Sequence, residues 1–375
     1  MARLTMLLGL VGLVAVPMVP AAHAQTPSAG ASPNVIVVKD SGVGLLAVDP
    51  ATGELRWQVE DHDGVSGAIA ADGVVYISVA SGDGSATDVY AVPVISKEPE
   101  LIGHMQGRAV AAGVTPAGDR LQLLELPSPD LDGRIGPPTG VRSLSIPDRL
   151  PGDTVPVASR DDGWGMLSAD GSMWYRLRPS QTDRDAPPEL ELSALLFDEG
   201  GSLTSAGLRL PNVSGYHSLL MAPDGSTLYI IDYYDQVIHV VDAAHLSVVR
   251  SINFGQERFK RPLCAVALSP EGSRLYVLGN AGNWGDGILV FETTSWRRVD
   301  HLVPGRDFYC LAVSPDGNSL YASYPTSWVY PFPPTDPLLA TIDTRTGREE
   351  LSVPLGLGDC CAWLVAAIST TDAGS

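Results

Sequence analysis

One sequence motif, here called the repeated phrase, recurs along the chain. It consists of an apolar run, a tight turn of small residues, and a second run in which apolar and polar residues alternate. The clearest copies span residues 219–231, 265–278 and 311–322, and their turns read Pro-Asp-Gly or Pro-Glu-Gly. Weaker copies span residues 68–77, 112–121 and 165–174. Proline presets the backbone at the first turn position, and glycine accepts the positive φ that follows. Each phrase therefore predicts a β-hairpin.

These turns recur at a nearly constant distance. The central residues of the six turns are Asp72, Ala117, Asp170, Asp224, Glu271 and Asp316. They are 45 to 54 residues apart, which is the length of four short strands with their connections. A second alternating phrase follows each clear hairpin, at residues 236–249, 287–296 and 339–349, and supplies a third and a fourth strand. Four strands in about 40–50 residues are typical of one propeller blade.

The two ends of the chain complete the blade count. Residues 35–38 and 44–57 read as a blade that lacks its first strand, and residues 361–369 read as a first strand that lacks a blade. The sequence therefore predicts an all-β fold, a seven-bladed β-propeller over residues 34–370, whose ring is closed by the C-terminal strand joining the N-terminal blade. Closure removes an exposed sheet edge. The alternative is two unrelated β-domains, although no linker composition separates them.

The first 24 residues resemble an export signal. Arg3 precedes an apolar run, and Ala22 and Ala24 are small residues at the positions that a signal peptidase reads. Cleavage before Gln25 would leave a disordered N-terminal segment, 25–33, and a short C-terminal tail, 371–375. The alternative is a membrane anchor, which needs about 20 apolar residues. We expect an exported protein, periplasmic or extracellular, with no stable membrane span after cleavage.

The composition excludes several classes of protein. The chain has 375 residues, of which 39 are Gly and 30 are Pro, too many turn formers for a helical bundle. Its net charge of −19 argues against nucleic acid or an anionic lipid surface as a main partner. With 45% hydrophobic residues the chain can bury a large core, so it is not a disordered segment.

The repeated phrase also resembles a known group of propellers. Ser-Pro-Asp-Gly followed by Leu-Tyr, and then by Val-x-Asp, is similar to the YVTN-type repeats of proteins outside the bacterial cytoplasm. Residues 48–57, Val-Asp-Pro-Ala-Thr-Gly-Glu-Leu-Arg-Trp, resemble the strand phrase of the PQQ-like repeat. The YVTN-type resemblance covers residues 214–353 clearly and residues 64–211 faintly. It implies the fold rather than a function, since such propellers include binding modules, heavy subunits of amine dehydrogenases and lactone hydrolases.

Four cysteines in an exported chain can form disulfides. Cys264 and Cys310 lie near the starts of two successive first strands, but one residue out of register, so their side chains can point toward each other. We predict a Cys264–Cys310 bridge, with Cys360 and Cys361 as a vicinal bridge or free. A bridge from blade seven to the closing strand is the alternative. No metal site and no cofactor are predicted.

Residues just before each innermost strand should border the central channel of such a ring. At these positions the sequence has charged or polar residues, which could bind a small polar ligand. The candidate ligand-binding residues are Asp61, His62, Arg108, Arg160, Asp161, Tyr216, His217, Lys260, Arg261, Arg306, Asp307 and Asp359. The alternative is that these loop ends are merely solvated.

Three functions remain open from sequence. The leading hypothesis is an exported binding or interaction module that takes a small polar ligand or a protein partner at the channel mouth. The second is an enzyme or enzyme subunit, similar to a lactone hydrolase or to the heavy subunit of a quinoprotein or amine dehydrogenase. The third is a structural envelope protein. No recognisable set of nucleophile and base identifies a catalytic residue.

Overall fold

The computed structural model describes most of the chain. The described residues are 35–40, 44–60, 65–71, 73–94, 98–115, 118–127, 139–156, 164–168, 172–179, 189–196, 205–211, 213, 217–232, 237–253, 266–278, 287–306, 308, 310–324, 338–355 and 363–368. They form strands and turns and contain no helix, so none that could cross a membrane. The predicted export signal, 1–24, and the segments 25–33 and 371–375 lie outside them.

Twenty-eight strands make up seven four-stranded antiparallel sheets. The first half of the chain contains β1 (Val35–Asp40), β2 (Gly44–Val48), β3 (Leu55–Glu60), β4 (Val65–Ala71), β5 (Val74–Ala80), β6 (Ala86–Pro93), β7 (Glu100–Gln106), β8 (Arg108–Val114), β9 (Arg120–Leu126), β10 (Gly140–Ser145), β11 (Pro151–Pro156), β12 (Trp164–Leu167), β13 (Met173–Pro179) and β14 (Glu189–Leu196). The second half contains β15 (Ser205–Pro211), β16 (His217–Met221), β17 (Thr227–Asp232), β18 (Val237–Asp242), β19 (Ser247–Asn253), β20 (Val266–Leu268), β21 (Arg274–Leu278), β22 (Ile288–Glu292), β23 (Arg298–Leu302), β24 (Cys310–Val313), β25 (Ser319–Tyr324), β26 (Leu338–Asp343), β27 (Glu349–Pro354) and β28 (Trp363–Ile368).

Each sheet is one blade of a β-propeller, and the seven blades form a ring. Blade one consists of β28, β1, β2 and β3 from the inside outward, and blades two to seven follow in chain order from β4–β7 to β24–β27. The innermost strands contact one another in a closed circle, from β28 through β4, β8, β12, β16, β20 and β24 back to β28. The predicted fold and blade number are therefore confirmed.

The ring closes as the sequence predicts. Strand β28 pairs antiparallel with β1, with Val35 opposite Ile368 and Lys39 opposite Trp363. The C-terminal strand thus supplies the innermost strand of the blade that the N-terminal strands begin. Without this pairing, blade one would end at β1 and present an open edge to solvent.

The turn between the third and fourth strands has a common design in five blades. Its first residue caps the turn, and its fifth residue has positive φ: Gly53 at 74°, Arg149 at 58°, Leu246 at 46°, Trp296 at 57° and Gly347 at 67°. In blade seven, for example, the Gly347 amide donates to the Asp343 carbonyl at 2.9 Å. The Asp343 carboxylate also accepts from the amides of Arg345 and Thr346. Glycine adopts this backbone freely, whereas the other three residues are strained there.

Carboxylates in the turns are held ionised by these backbone groups. The Thr346 amide lowers the pKa of Asp343, and the His245 amide likewise lowers the pKa of Asp242. In blade two, the Ser85 amide and the Ser81 hydroxyl lower the pKa of Asp83 to about 2. Hydrogen bonds donated to a carboxylate favour its charged form, so the turns are more stable when these groups are ionised.

The core lies between blades rather than within them. Clusters of buried apolar side chains fill six seams, between blades one and two, two and three, four and five, five and six, six and seven, and seven and one. Alternate residues of each strand face opposite neighbours, so both faces of a blade are buried. The seam between blades three and four has a different composition, which is described below.

Candidate functional site

The channel mouth is the end of the ring at which the innermost strands begin. Every blade starts with its innermost strand, so these strands run in the same direction and their first residues lie at the same end. Among the described strands, β8 begins at Arg108, β16 at His217 and β24 at Cys310. Arg108 pairs with Leu126, whereas His217 pairs with Asp232, the counterpart of Glu125, so these two predicted site residues lie one pairing position apart in blades three and five.

Most of the predicted ring cannot be compared with the structure. Of the twelve candidates, Arg108, His217 and Arg306 are described, and for His217 only the backbone. The nine that lie outside the described residues are Asp61, His62, Arg160, Asp161, Tyr216, Lys260, Arg261, Asp307 and Asp359. Their place at the channel mouth stays a prediction.

Arg108 is the best-defined candidate because the backbone on both sides of it is held. The Gly107 amide donates to the Ser85 carbonyl at 2.7 Å, in a turn where Gly107 has φ of 82°. The Thr87 hydroxyl donates to the Gly107 carbonyl at 2.8 Å and accepts from the Ala109 amide at 2.9 Å. Thr87 itself is fully buried in β6 of blade two. One side chain thus fixes the residues before and after Arg108.

The side chain of Arg108 lies on the face of β8 that is turned away from blade two. Its neighbour Ala109 packs into the apolar cluster between blades two and three, so Arg108 faces blade four by the alternation of the strand. The residue is partly exposed, but its Nε atom is buried and has no hydrogen-bond partner in the described part of the chain. A buried donor without a partner costs about 1–3 kcal/mol. Such a group is expected where a ligand completes the site.

Arg306 has a different environment. Its Nε atom lies 3.1 Å from an Oε atom of Glu349, the first residue of β27, which is the outermost strand of blade seven. Its carbonyl accepts from the Gly287 amide of blade six at 2.8 Å. These contacts join Arg306 to blades six and seven, and its place at the channel mouth stays a prediction.

The seam between blades three and four, here the three–four seam, contains functional candidates that the sequence reading missed. Tyr175 and Leu177 of β13 pack toward blade five, so the alternate residues Trp174, Arg176 and Arg178 face blade three. Described residues of this seam include Arg108, Val110, Gln122, Leu124, Val141 and Ser143 of blade three, and Trp174, Arg176, Arg178, Glu189, Glu191, Ser193 and Arg209 of blade four. Apolar and cationic side chains therefore share one interface.

Arg176 and Arg178 differ in how deeply they are buried. Arg178 donates to a Glu191 oxygen at 2.9 Å, across the β13–β14 pair. Arg176 is only 8% exposed, the one arginine among the described residues that is so deeply buried. Burying a guanidinium is costly unless anionic groups or hydrogen bonds compensate it. The described residues of the seam include groups of both charge signs, with Glu189 and Arg209 on the same face as Glu191.

Trp174 forms an apolar wall beside Arg176. A Cβ atom on Gly165 would lie 2.2 Å from the Trp174 ring, so the indole occupies the place of the missing side chain. Gly165 is the register partner of Arg176 and lies in the innermost strand of blade four. The indole and the buried guanidinium are thus neighbours close to the channel.

The polar residues of the three–four seam could have been detected in the sequence. The second strands of blades five and six, Leu228-Tyr229-Ile230-Ile231 and Leu275-Tyr276-Val277-Leu278, are apolar on both faces. The corresponding strand of blade four reads Trp-Tyr-Arg-Leu-Arg, with arginine at alternate positions of a strand that must be buried on both sides. A comparison of blades by position would have identified Arg176 and Arg178.

A buried carboxylate also lies near the mouth in blade five. Asp232, the last residue of β17, is 1% exposed and is the register partner of His217. The pairing brings the backbone of a predicted site residue opposite a carboxylate that the sequence reading did not single out. A carboxylate beside a histidine is the usual orienting arrangement for a general base.

The predicted disulfides are not tested by the structure. Cys310 is buried at the start of β24, whereas Cys264, Cys360 and Cys361 lie outside the described residues. The Cys264–Cys310 bridge stays a prediction. Within the described residues, no group of three or more His, Cys, Asp or Glu side chains is placed to hold a metal ion.

A cavity of about 360 Å³ lies at the other end of the ring. It is formed between the Pro-Asp-Gly turn of blade five and the Pro-Glu-Gly turn of blade six, with Asp224, Tyr229 and Glu271 in its lining. Burial, and then the Asp224 charge, raise the pKa of Tyr229. The cavity is acidic and distant from Arg108, so it is not part of the candidate site.

Comparison with solved structures agrees with the fold. The chain is similar to a periplasmic gluconolactonase, PpgL, from Pseudomonas aeruginosa, at 15% identity over 90% of this chain and 100% of that one, with a TM-score of 0.60. It is also similar to a candidate 6-phosphogluconolactonase from Bacteroides fragilis, at 14% identity over 91% of this chain and 98% of that one, with a TM-score of 0.59. A dihydro-heme d1 dehydrogenase, NirN, matches at 16% identity over 92% of this chain and 78% of that one, with a TM-score of 0.56.

These similarities define the class of protein: a seven-bladed β-propeller with neighbours of the 6-phosphogluconolactonase-like type. The chain matches no protein-family model and no curated protein. At such low identity, the solved structures carry the fold and not the activity.

Proposed function

We propose that this chain is an exported propeller of YVTN-type repeats that binds a small polar ligand at the channel mouth. The observation that carries the proposal is Arg108, whose backbone is fixed on both sides and whose buried Nε lacks a partner in the described residues. A protein stabilises such a donor when a ligand supplies the acceptor. The predicted charged residues at the other strand starts supply further ligand contacts.

Export is supported by two independent features. The first 24 residues have the order of charge, apolar run and small residues that signal peptides share. One structural neighbour is named a periplasmic protein. N-terminal sequencing of the protein secreted by a Gram-negative host tests export, and a mature chain that begins at Gln25 is the expected result. A protein that stays in the cytoplasm with Met1 still present contradicts export.

The binding function is tested with a panel of small polar metabolites. We expect at least one of them to raise the melting temperature of the purified protein, because a ligand that binds only the folded state stabilises it. The Arg108→Met variant should lose that shift, whereas Arg250→Met, which changes an exposed arginine on the outermost strand of blade five, should keep it. A panel without any stabilising member, or an equal shift in Arg108→Met, contradicts the proposal.

A second candidate function is hydrolysis of a lactone. It is favoured by Asp232, a buried carboxylate opposite His217 at the channel mouth, and by the gluconolactonase name of a structural neighbour. Hydrolysis of glucono-δ-lactone releases an acid, so a pH-stat measures it directly. We expect a rate above the uncatalysed one that falls at least a hundredfold in Asp232→Asn. A rate equal to that of buffer, or unchanged in the variant, rejects this candidate.

A further inference from the structure

We propose that the cavity between the turns of blades five and six is a second binding site, and that it takes a small organic ammonium ion. This cavity, here the five–six cavity, lies at the end of the ring opposite the channel mouth. Its lining includes the polar residues Asp224, Tyr229 and Glu271 and the apolar residues Pro223 and Pro270. Its volume of about 360 Å³ is within the range of small-molecule sites. The inference goes beyond the proposed function, since none of the lining residues is a candidate at the channel mouth.

The hydroxyl group of Tyr229 lacks a hydrogen bond. Tyr229 is only 5% exposed, yet its hydroxyl has no hydrogen-bond partner in the part of the chain that the structure describes. The ring contacts Trp296 of blade six, with 5.4 Å between the two centroids. Burial, and then the Asp224 charge, raise the pKa of this phenol, so the Asp224 carboxylate lies close enough to act on it. A buried polar group without a partner destabilises the fold, and a ligand in the cavity would supply the missing hydrogen bond.

The equivalent tyrosines of the neighbouring blades have partners. In blade four the Tyr175 hydroxyl donates to a backbone carbonyl of blade five at 3.3 Å. In blade six burial raises the pKa of Tyr276, and hydrogen bonds with the side chains of Arg274 and Thr344 oppose that rise. Tyr229 therefore differs from both counterparts, because it lines a cavity where they have a hydrogen-bond partner.

The seam between blades six and seven shows which chemistry fits beside such a tyrosine. Arg274, the first residue of β21, is the counterpart of Thr227, the first residue of β17, and each lies on the same face as the tyrosine two residues later. Blade six thus places a guanidinium beside its tyrosine, whereas blade five has a short side chain and the cavity. The Arg274 charge also acts on Glu271, the turn carboxylate that corresponds to Asp224 in blade five. An ammonium ion in the five–six cavity would take the place of this cation.

Two carboxylates give the five–six cavity its negative charge. Asp224 lies in the turn of blade five, and Glu271 lies in the turn of blade six. The two turns are in contact, because a Cβ atom on Gly272 would lie 3.1 Å from the Pro223 ring. The carboxylates therefore border one opening, and none of the described lining residues is cationic.

Each carboxylate is oriented by its own turn. The Ser226 hydroxyl donates to an oxygen of Asp224 at 2.8 Å, and the Ser273 hydroxyl donates to an oxygen of Glu271 at 2.6 Å. Burial acts to raise the pKa of Glu271, but the serine hydroxyls of its turn outweigh burial and hold the pKa below its ordinary value. Glu271 is therefore ionised at neutral pH and can accept a hydrogen bond from an ammonium group.

The lining fits an organic cation better than a metal ion. Calcium takes about 6–8 oxygen ligands, whereas the polar side chains named above offer two carboxylates and one phenol. Among the described residues, no group of three or more His, Cys, Asp or Glu side chains is placed to hold a metal. Pro223, Pro270 and the Tyr229 ring form apolar walls that suit a carbon skeleton. These features favour an ammonium group attached to an alkyl or aryl body.

The experiment compares two amines with the alcohols of the same skeleton: benzylamine with benzyl alcohol, and n-butylamine with n-butanol. Isothermal titration calorimetry on the full chain measures each affinity at neutral pH, where both amines are protonated, and at constant ionic strength. We expect at least one amine to bind about tenfold more tightly than its alcohol. Equal binding of amine and alcohol, or no binding of either amine, overturns the proposal. Calcium chloride is the further probe, and Ca²⁺ that binds more tightly than both amines and displaces them also overturns it.

Variants assign the binding to the five–six cavity. Asp224→Asn and Glu271→Gln keep the size of each side chain and should each weaken amine binding about tenfold. Asp316→Asn changes the corresponding turn of blade seven and, as the matched control, should leave the affinity unchanged. Tyr229→Phe removes only the hydroxyl; it should weaken amine binding about threefold without lowering the melting temperature of the free protein. Unchanged amine affinity in the folded carboxylate variants overturns the proposal, and if these do not fold, unchanged affinity in Tyr229→Phe overturns it.

The variant at the channel mouth separates this inference from the proposed function. Amine affinity should be the same in Arg108→Met as in the wild type, because the two sites lie at opposite ends of the ring. If the affinity falls in Arg108→Met and not in Asp224→Asn, the amine binds at the channel mouth, and this inference fails while the proposed function stands. If the amine binds as expected and the metabolite panel contains no ligand that depends on Arg108, the inference stands and the proposed function fails.

Discussion

The Thr87 hydroxyl offers the sharpest test of how the site is built. Thr87→Val keeps the volume of the side chain and removes its hydrogen bonds to the Gly107 carbonyl and the Ala109 amide. Because Ala109 is only 2% exposed, its amide cannot donate to water instead. Leaving this amide without an acceptor costs about 1–3 kcal/mol of folding stability. Loss of the hydrogen bond to the Gly107 carbonyl adds about 0.5–1 kcal/mol to this cost, because Gly107 is only partly buried and its carbonyl can accept from water. The variant should therefore be about 1.5–4 kcal/mol less stable than the wild type.

Urea unfolding measures this difference. With a slope of about 3 kcal/mol/M for a chain of this size, the midpoint should fall by about 0.5–1.3 M. Thr87→Ser is the matched control, because it keeps the hydroxyl and loses one methyl group, which costs about 1 kcal/mol. Equal stability of the valine variant and the wild type, or a serine variant less stable than valine, would refute the view that the hydroxyl fixes the backbone around Arg108.

Three further predictions concern the frame of the ring. Arg149→Gly should be about 1 kcal/mol more stable than Arg149→Ala. Both variants lose the exposed ion pair with Glu100, but only glycine relieves the strain of a φ of 58° at this position. Chemical denaturation measures the free energy of unfolding of the two variants. Gly165→Ala should cost about 1–3 kcal/mol in the same assay, because its Cβ would lie 2.2 Å from the Trp174 ring, and an unchanged midpoint would show that the indole moves freely. Stability should fall as the pH drops from about 4 to about 2, because the turn carboxylates have pKa values below their ordinary 3.8, in Asp83 about 2, so the unfolded chain takes up protons first. Melting followed against pH measures this loss, and a flat profile between pH 4 and 2 contradicts it.

Predicting the fold from sequence succeeded because its main determinants are local. Pro223, Asp224 and Gly225 form a turn whatever surrounds them, and the structure has β16 and β17 on either side of it. The spacing of such turns then gave seven blades. The turn between third and fourth strands could be predicted in this way in only some blades. Gly53 and Gly347 mark its residue of positive φ, whereas Leu246 and Trp296 adopt a positive φ without being glycine.

The candidate site was less predictable because it depends on which surfaces meet. Arg108 and Arg306 could both be found from their places before innermost strands, but the contact between Arg306 and Glu349 of the outermost strand of blade seven could not. Arg176 and Asp232 were missed because they lie in second strands, whereas the search covered only the residues before innermost strands. Their depth of burial, 8% and 1%, becomes visible only when neighbouring blades are packed.

The sequence by itself determined the repeated hairpins, the number of blades and the closure of the ring, because turn residues and period-two alternation act over a few neighbouring positions. Tertiary structure alone decided which faces pack together, and hence that, among the described residues, Arg176 and Trp174 are buried beside Val110, Leu124 and Val141 between blades three and four. The physical reason is that a strand's alternation states which residues share a face, but the identity of the blade that covers that face is set by contacts between residues far apart in the chain.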